Sequence, residues 1–371
     1  MAWHNDLVTR RLFGFFILGG SLILCGLAAA QTRKTENVIF VMTDGLRWQD
    51  VFRGADPALL NKESGVPNPD AAKKEYWRDT PEARRAALMP FLWGTMAKQG
   101  QLYGNRDQGS EAYVTNGFNF SYPGYNETLT GAPDPRVDSN DKIPNRNVTV
   151  LEWLNRKPAF KGKVAAFGAW DVISAIANGE RGGFPANAGY DAFQMSPMTP
   201  QLALINKLKA ETKVWDGEVF DSFPFFTAME YLKAKKPRVL YLSLGETDEW
   251  AHDGKYELYL KSARRVDDYL KTLWETVQSM PGYKDHTTLI FTPDHGRGEA
   301  PTDWKGHGQK IPDSKYIWMA FLGPDTPPSG ERKNVPAVTQ SPVAATLAAF
   351  LGEDYAGAVP GAGKAIADVR K

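Results

Sequence analysis

Cysteine is almost missing from this chain: its 371 residues include one, Cys25, inside an apolar run near the start. Disulfide staples and thiol catalysis are therefore excluded from the rest of the protein. An excess of charge is missing too. Lys and Arg total 44 against 43 Asp and Glu, a net charge of +1. That balance gives no electrostatic ground for binding nucleic acid or an anionic membrane. No basic run interleaved with aromatics, no internal repeat and no low-complexity tract occurs. Histidine is scarce, five residues in all, so the positions of the few that exist carry weight.

What is present begins with an export pattern. Arg10 and Arg11 precede an apolar run over 12–27, and Ala28-Ala29-Ala30 offers a small-residue cleavage site. Residues 1–30 read as a secretory signal peptide, leaving a chain over 31–371 without a membrane anchor. The paired arginines also resemble a twin-arginine signal, which exports folded proteins. The expected location is exported, periplasmic or secreted, in a bacterium. Cys25 is a poor lipidation site, because Leu24 stands where a small residue is needed.

Short continuous apolar runs at 37–42, 164–168, 238–244, 287–292 and 316–322 predict strands covered on both faces. Helical spacing falls between them, most clearly at 256–280 and more briefly at 148–154 and 341–351. Alternating elements of this kind predict an α/β fold, a doubly wound, mostly parallel central sheet between helix layers. The Pro-, Gly-, Asn- and charge-rich stretches at 56–90 and 182–226 are expected to be insertions over the active-site edge.

Ligands of such sheets bind beyond the carboxyl ends of the strands, and metal-ligand residue types fall there. Asp44 follows the first strand, Asp248 and His252 follow the run at 238–244, and Asp294-His295 follows 287–292. His307 stands between Gly306 and Gly308, whereas His286, ahead of a strand, reads as surface. Zinc accepts imidazole and carboxylate ligands while leaving a position open for substrate. Three histidines and three aspartates suffice for two ions.

In order and residue type, the segments 37–45, 121–131, 248–252, 294–296 and His307 resemble the alkaline phosphatase superfamily. The likeness is greatest to its nucleotide pyrophosphatase/phosphodiesterase-like members. The resemblance implies that Asp44, Asp294 and His295 hold one zinc ion and that Asp248, His252 and His307 hold the other. It places the nucleophile at Ser121, just before Tyr122-Pro123, as a ligand of the first metal and the site of a phosphoserine intermediate. Read alone, Ser121 and Pro123 would merely start a helix. The resemblance also implies an asparagine donor to a nonbridging phosphoryl oxygen, Asn140, with Asn145 as the alternative.

Departures from the family bear on substrate. Tyr125 occupies the position where a sulfatase signature requires Arg, which argues against a formylglycine. The stretch Gly168-Ala169-Trp170-Asp171 lacks the Lys and Arg that monoesterases use, so the expectation leans to phosphodiesters. Arg297 and Lys305 are candidate substrate contacts, with Arg47 also in range. Trp170, Trp250 and Trp304 are either stacking surfaces or packing residues. The expected partner is a small phosphate ester. The alternatives are a phosphomonoesterase, an arylsulfatase or phosphonate hydrolase, and a noncatalytic module that binds phosphorylated ligands.

Overall fold

In the computed structural model, Met1 and residues 33–371 are described. The expected signal peptide, with Arg10, Arg11, Cys25 and the alanine triplet, lies outside the described residues. Eight strands form the main sheet: β1 (Asn37–Thr43), β2 (Gln101–Tyr103), β3 (Val164–Gly168), β4 (Ala186–Ala188), β5 (Val239–Leu244), β6 (Thr287–Pro293), β7 (Met319–Leu322) and β8 (Gly330–Glu331). Their spatial order is β8-β2-β7-β6-β1-β5-β3-β4. The five from β6 to β4 are parallel, and β7 runs antiparallel to both β6 and β2.

The continuous apolar runs follow from this arrangement. All seven residues of β1 are buried. Ile39 and Val41 join one core and Val38, Phe40 and Met42 the other, because successive side chains point to opposite faces. The first core is closed by helices that include α2 (Ser222–Lys235) and α4 (Tyr256–Ser279), the second by helices that include α1 (Ser121–Thr130) and α5 (Pro342–Phe350). This is the doubly wound architecture expected of the pattern. Helix α4 buries Tyr256, Tyr259, Leu260, Ala263, Val266, Leu270, Leu273 and Val277 at helical spacing.

Two features differ from the sequence expectation. The run at 316–322 is two strands, not one. Tyr316–Ile317 joins a separate three-stranded sheet, and β7 begins after Trp318. Trp318 donates its indole N–H to Leu46 O at 3.0 Å while its carbonyl accepts Thr292 Oγ1 at 2.7 Å, which takes it out of both ladders. The stretch 182–226 also does more than cover an edge, since it supplies the sheet strand β4.

Candidate metal and nucleophile site

The site is assembled where β1, β5 and β6 end. Asp44 follows β1 and its N–H donates to Leu244 O at 2.8 Å. Gly45 then turns at φ +57°, and a Cβ there would lie 2.6 Å from Asp248 Oδ1 and 2.7 Å from the Arg297 guanidinium. Only glycine tolerates both the conformation and the crowding. The Gly45 N–H donates to Asp294 Oδ1 at 3.1 Å, tying the ends of β1 and β6 together.

Asp44, Asp294 and His295 form one buried group whose ligand atoms lie within 4.8 Å of one another. His295 Nε2 is 3.1 Å from Asp44 Oδ1 and 3.4 Å from Asp294 Oδ2. Its other ring nitrogen faces Gly296 O at 2.8 Å, which fixes the N–H there and turns the Nε2 lone pair inward. Tyr125 donates its hydroxyl to Asp44 Oδ2 at 3.2 Å.

The second group is Asp248, His252 and His307. Helix α3 (Glu246–His252) places Asp248 and His252 one turn apart, with His252 Nε2 3.0 Å from Asp248 Oδ2. The Nε2 atoms of His252 and His307 meet at 3.0 Å. His307 Nδ1 donates to Asn119 O at 3.3 Å. The two groups abut, because the His295 and His307 rings stack with centroids 4.0 Å apart.

These donors fit cations. Asp44 Oδ1 and Asp294 Oδ2 are buried without a hydrogen-bond partner, a costly arrangement unless a positive charge lies between them. Burial, then the Asp248 charge, raises the Asp44 carboxyl well above the usual range. Burial, then Asp44, does the same to Asp294. Burial pushes His295 down to about 4, which keeps its imidazole neutral and able to ligate. Burial opposes ionisation of Asp248, but Arg297, His252 and His307 outweigh it and hold that carboxyl well below the usual range.

Ser121 is the first residue of α1. The N-cap is Phe120, which makes no side-chain cap hydrogen bond, so the Ser121 hydroxyl is not spent on capping. Its Oγ lies 3.4 Å from His295 Nε2. Gly124 lets the helix approach, since a Cβ there would come 2.3 Å from Asp294 O. Asn140 is exposed and its Oδ1 accepts the Tyr122 N–H at 2.9 Å. Asn145 is buried, and its amide donates to Ile176 O at 3.3 Å and accepts from Asn147 N at 2.9 Å. The alternative donor is therefore turned into the structure.

The remaining candidates divide. Arg297 is fully buried, and its guanidinium is committed to Trp304 O, Lys305 O and Asp248 Oδ1. It braces the loop that carries His307 and is not presented to a substrate. Arg47 is likewise buried and paired with Asp50 at 2.7 Å. Trp304 is buried against Tyr256 and Tyr259, so it packs. Trp170 and Trp250 are half-buried and Lys305 is exposed.

Sequence reasoning missed a brace behind Ser121. Glu127, fully buried on α1, accepts from Thr115 N and Oγ1, Asn116 N and Nδ2, and Ser341 Oγ at 2.6–3.1 Å. Asn116 Oδ1 in turn accepts Phe118 N and Asn119 N, each at 2.9 Å. The only local signal was an acid inside an otherwise uncharged helix, six residues after Ser121.

A family model, type I phosphodiesterase/nucleotide pyrophosphatase, matches residues 60–320. No curated protein matches the chain by sequence. Among solved structures, alkaline phosphatase PafA aligns with TM-score 0.59 at 12% identity, over 91% of this chain and 99% of that one. Lipoteichoic acid synthase LtaP from Listeria monocytogenes aligns at 0.56 and 12% identity, over 91% and 76%. Murine ectonucleotide pyrophosphatase/phosphodiesterase 5 aligns at 0.54 and 11% identity, over 90% and 100%. At these identities the likeness is one of fold. Among the described residues, no helix is long and apolar enough to cross a membrane. With the family model covering most of the chain, the protein belongs to the type I phosphodiesterase/nucleotide pyrophosphatase family of phosphoester hydrolases.

Proposed function

We propose that this protein is an exported phosphodiesterase with two zinc ions, residues 31–371 forming its catalytic domain and Ser121 its nucleophile. The observation that carries the reading is the juxtaposition of two abutting ligand groups with a buried serine hydroxyl 3.4 Å from His295 Nε2. Asp44, Asp294, His295 and Ser121 would hold one ion, and Asp248, His252 and His307 the other. The ions would neutralise charge on the phosphoryl oxygens and on the attacking and leaving groups.

The residues then have separate tasks. Ser121 Oγ attacks phosphorus in line, the P–O bond to the alcohol breaks, and a phosphoserine forms on the chain. A water then attacks the same phosphorus, and the P–Oγ bond breaks to release the second product. The N-terminus of α1 favours the phosphoryl charge. Asn140, anchored through Oδ1 by Tyr122 N–H, turns its amide N–H groups to a nonbridging oxygen. The Nδ1–H anchors of His295 and His307 keep both Nε2 atoms directed inward.

Diesters are favoured because the extra charge of a monoester has little to meet it. Arg297 is buried in its own contacts, and Asp171 follows Trp170 where a cation would be needed, itself paired with Lys142 at 2.9 Å. The test is turnover of bis-(4-nitrophenyl) phosphate against 4-nitrophenyl phosphate by the zinc-loaded mature protein. A ratio well above one is expected. A ratio below one would make it a monoesterase, with Lys305 as the compensating cation. Ser121→Ala should abolish most turnover of either ester while zinc content by elemental analysis stays near two per chain. Surviving activity would remove Ser121 from the mechanism.

A further inference from the structure

Each aspartate of the two ligand groups has one oxygen taken by a donor of the chain and the other left open. Asp44 Oδ2 accepts the Tyr125 hydroxyl at 3.2 Å, while Asp44 Oδ1 is buried without a hydrogen-bond partner. Asp294 Oδ1 accepts the Gly45 N–H at 3.1 Å, while Asp294 Oδ2 is buried and unpartnered. Asp248 Oδ1 accepts from the Arg297 guanidinium, and its Oδ2 lies 3.0 Å from His252 Nε2. In the first group the two open oxygens converge on one nitrogen. His295 Nε2 is 3.1 Å from Asp44 Oδ1, 3.4 Å from Asp294 Oδ2 and 3.4 Å from Ser121 Oγ. A cation there meets one oxygen from each aspartate, one imidazole nitrogen and one hydroxyl.

Such a donor set sorts cations. Zinc is satisfied by about four ligands drawn from nitrogen and oxygen. Manganese, magnesium and calcium take about six or more, mostly oxygens, and gain from a carboxylate that ligates through both of its own. Holding one oxygen of every aspartate in a hydrogen bond penalises the ions that need many ligands and spares the one that needs few.

Of the three donors, Tyr125 is the one that a substitution removes cleanly. Gly45 offers a backbone N–H, and Arg297 also braces the loop of His307. Tyr125 is 1% exposed, packs in the second core, and lies one turn after Ser121 on α1. Its hydroxyl has no freedom to turn. Ser243 on β5 donates to the Tyr125 oxygen at 2.9 Å, so the phenolic hydrogen is left to face Asp44, whose carboxylate oxygen can only accept.

We propose that Tyr125 selects the metal of the first group: by holding Asp44 Oδ2 it confines Asp44 to one-oxygen ligation and favours zinc over ions that need more oxygens. Tyr125 is a positioning residue, since it touches the ligand and not the ion. The proposal rests on the two-metal reading above and names the side chain that enforces the choice of ion.

The test measures metal binding to the full-length mature protein after removal of all metal, zinc by competition with a chromophoric chelator and manganese by electron paramagnetic resonance. Tyr125→Phe keeps the ring and removes the hydroxyl. It is expected to lower the ratio of zinc to manganese affinity about tenfold at one of the two sites. A loss of both affinities with the ratio unchanged is the mark of a packing defect and overturns the proposal. Ser243→Ala leaves the Tyr125 hydroxyl on Asp44 and should keep the wild-type ratio; a shift as large as that of Tyr125→Phe also overturns it. Should Tyr125→Phe fail to fold, zinc-edge X-ray absorption of the wild type decides. Carboxylates that ligate through one oxygen support the proposal, and a two-oxygen carboxylate overturns it. A wild type that binds both ions with an unchanged ratio in Tyr125→Phe leaves the two-metal reading standing. A wild type that binds neither ion refutes that reading and this proposal with it.

Discussion

Replacing Glu127 by glutamine should cost about 3 kcal/mol of stability. The carboxylate, itself fully buried, gathers five donor groups, and three of them, Thr115 N, Asn116 N and Asn116 Nδ2, are N–H groups that cannot turn away. Glutamine keeps one acceptor oxygen, which can face those three, while its NH2 faces the Thr115 and Ser341 hydroxyls, which can rotate to accept. Each fixed donor then falls from a charge-assisted hydrogen bond to a neutral one, a loss of about 1 kcal/mol apiece. Urea unfolding of the zinc-loaded protein, compared at constant m, measures the sum. The same substitution should loosen Asn116, and through it Asn119, whose carbonyl holds His307 Nδ1. Zinc should therefore be lost first from the group containing His307, read by competition with a chromophoric chelator. A stability change below about 1 kcal/mol, with both zinc affinities intact, would refute the reasoning.

Two further outcomes follow from buried charge. Arg297→Met should widen the gap in melting temperature between metal-free and zinc-loaded protein, because the guanidinium against Asp248 is the cation that the metal-free acids retain; an unchanged gap in differential scanning fluorimetry would contradict that. Asp267 accepts Phe91 N and Leu92 N on α4, and burial raises its carboxyl to about 7 from an ordinary 3.8. Its folded pKa lies above the unfolded one, so the native state holds an extra proton between about pH 4 and 7. The stability of wild type relative to Asp267→Asn should therefore fall as pH rises through that window and stay level above it, in urea titrations at stepped pH.

Much of the fold was legible because strands buried on both faces are apolar on successive residues instead of alternating. The runs at 37–42, 164–168, 238–244 and 287–292 show that pattern and differ from β1, β3, β5 and β6 by a residue at most. The strands β2, β4 and β8 are only two or three residues long, too short for any periodicity. The break at Trp318 depends on the distant Leu46 carbonyl and could not be read locally. Asp44, Asp248, His252, Asp294, His295 and His307 were conspicuous because histidine is rare and the residues follow strands. Glu127 was not, because its role exists only through partners far along the chain.

Strand β1 is made first and sits in the middle of the sheet, between β5 and β6. Both of its neighbours emerge from the ribosome only after most of the chain. Until then a strand that is apolar from Val38 to Met42 has no partner, and Asp44 at its end has none of the companions that would share the proposed metal with it. His307, the last residue of the two candidate ligand groups, is synthesised later than every strand that frames the site. Metal loading thus cannot help early folding. It can only lock a sheet that has already closed around its oldest segment, and a parallel sheet closed by such distant contacts forms slowly. Truncation after β6 but before His307 should accordingly leave a chain able to pair its central strands yet unable to hold the ion proposed for the group of Asp248, His252 and His307.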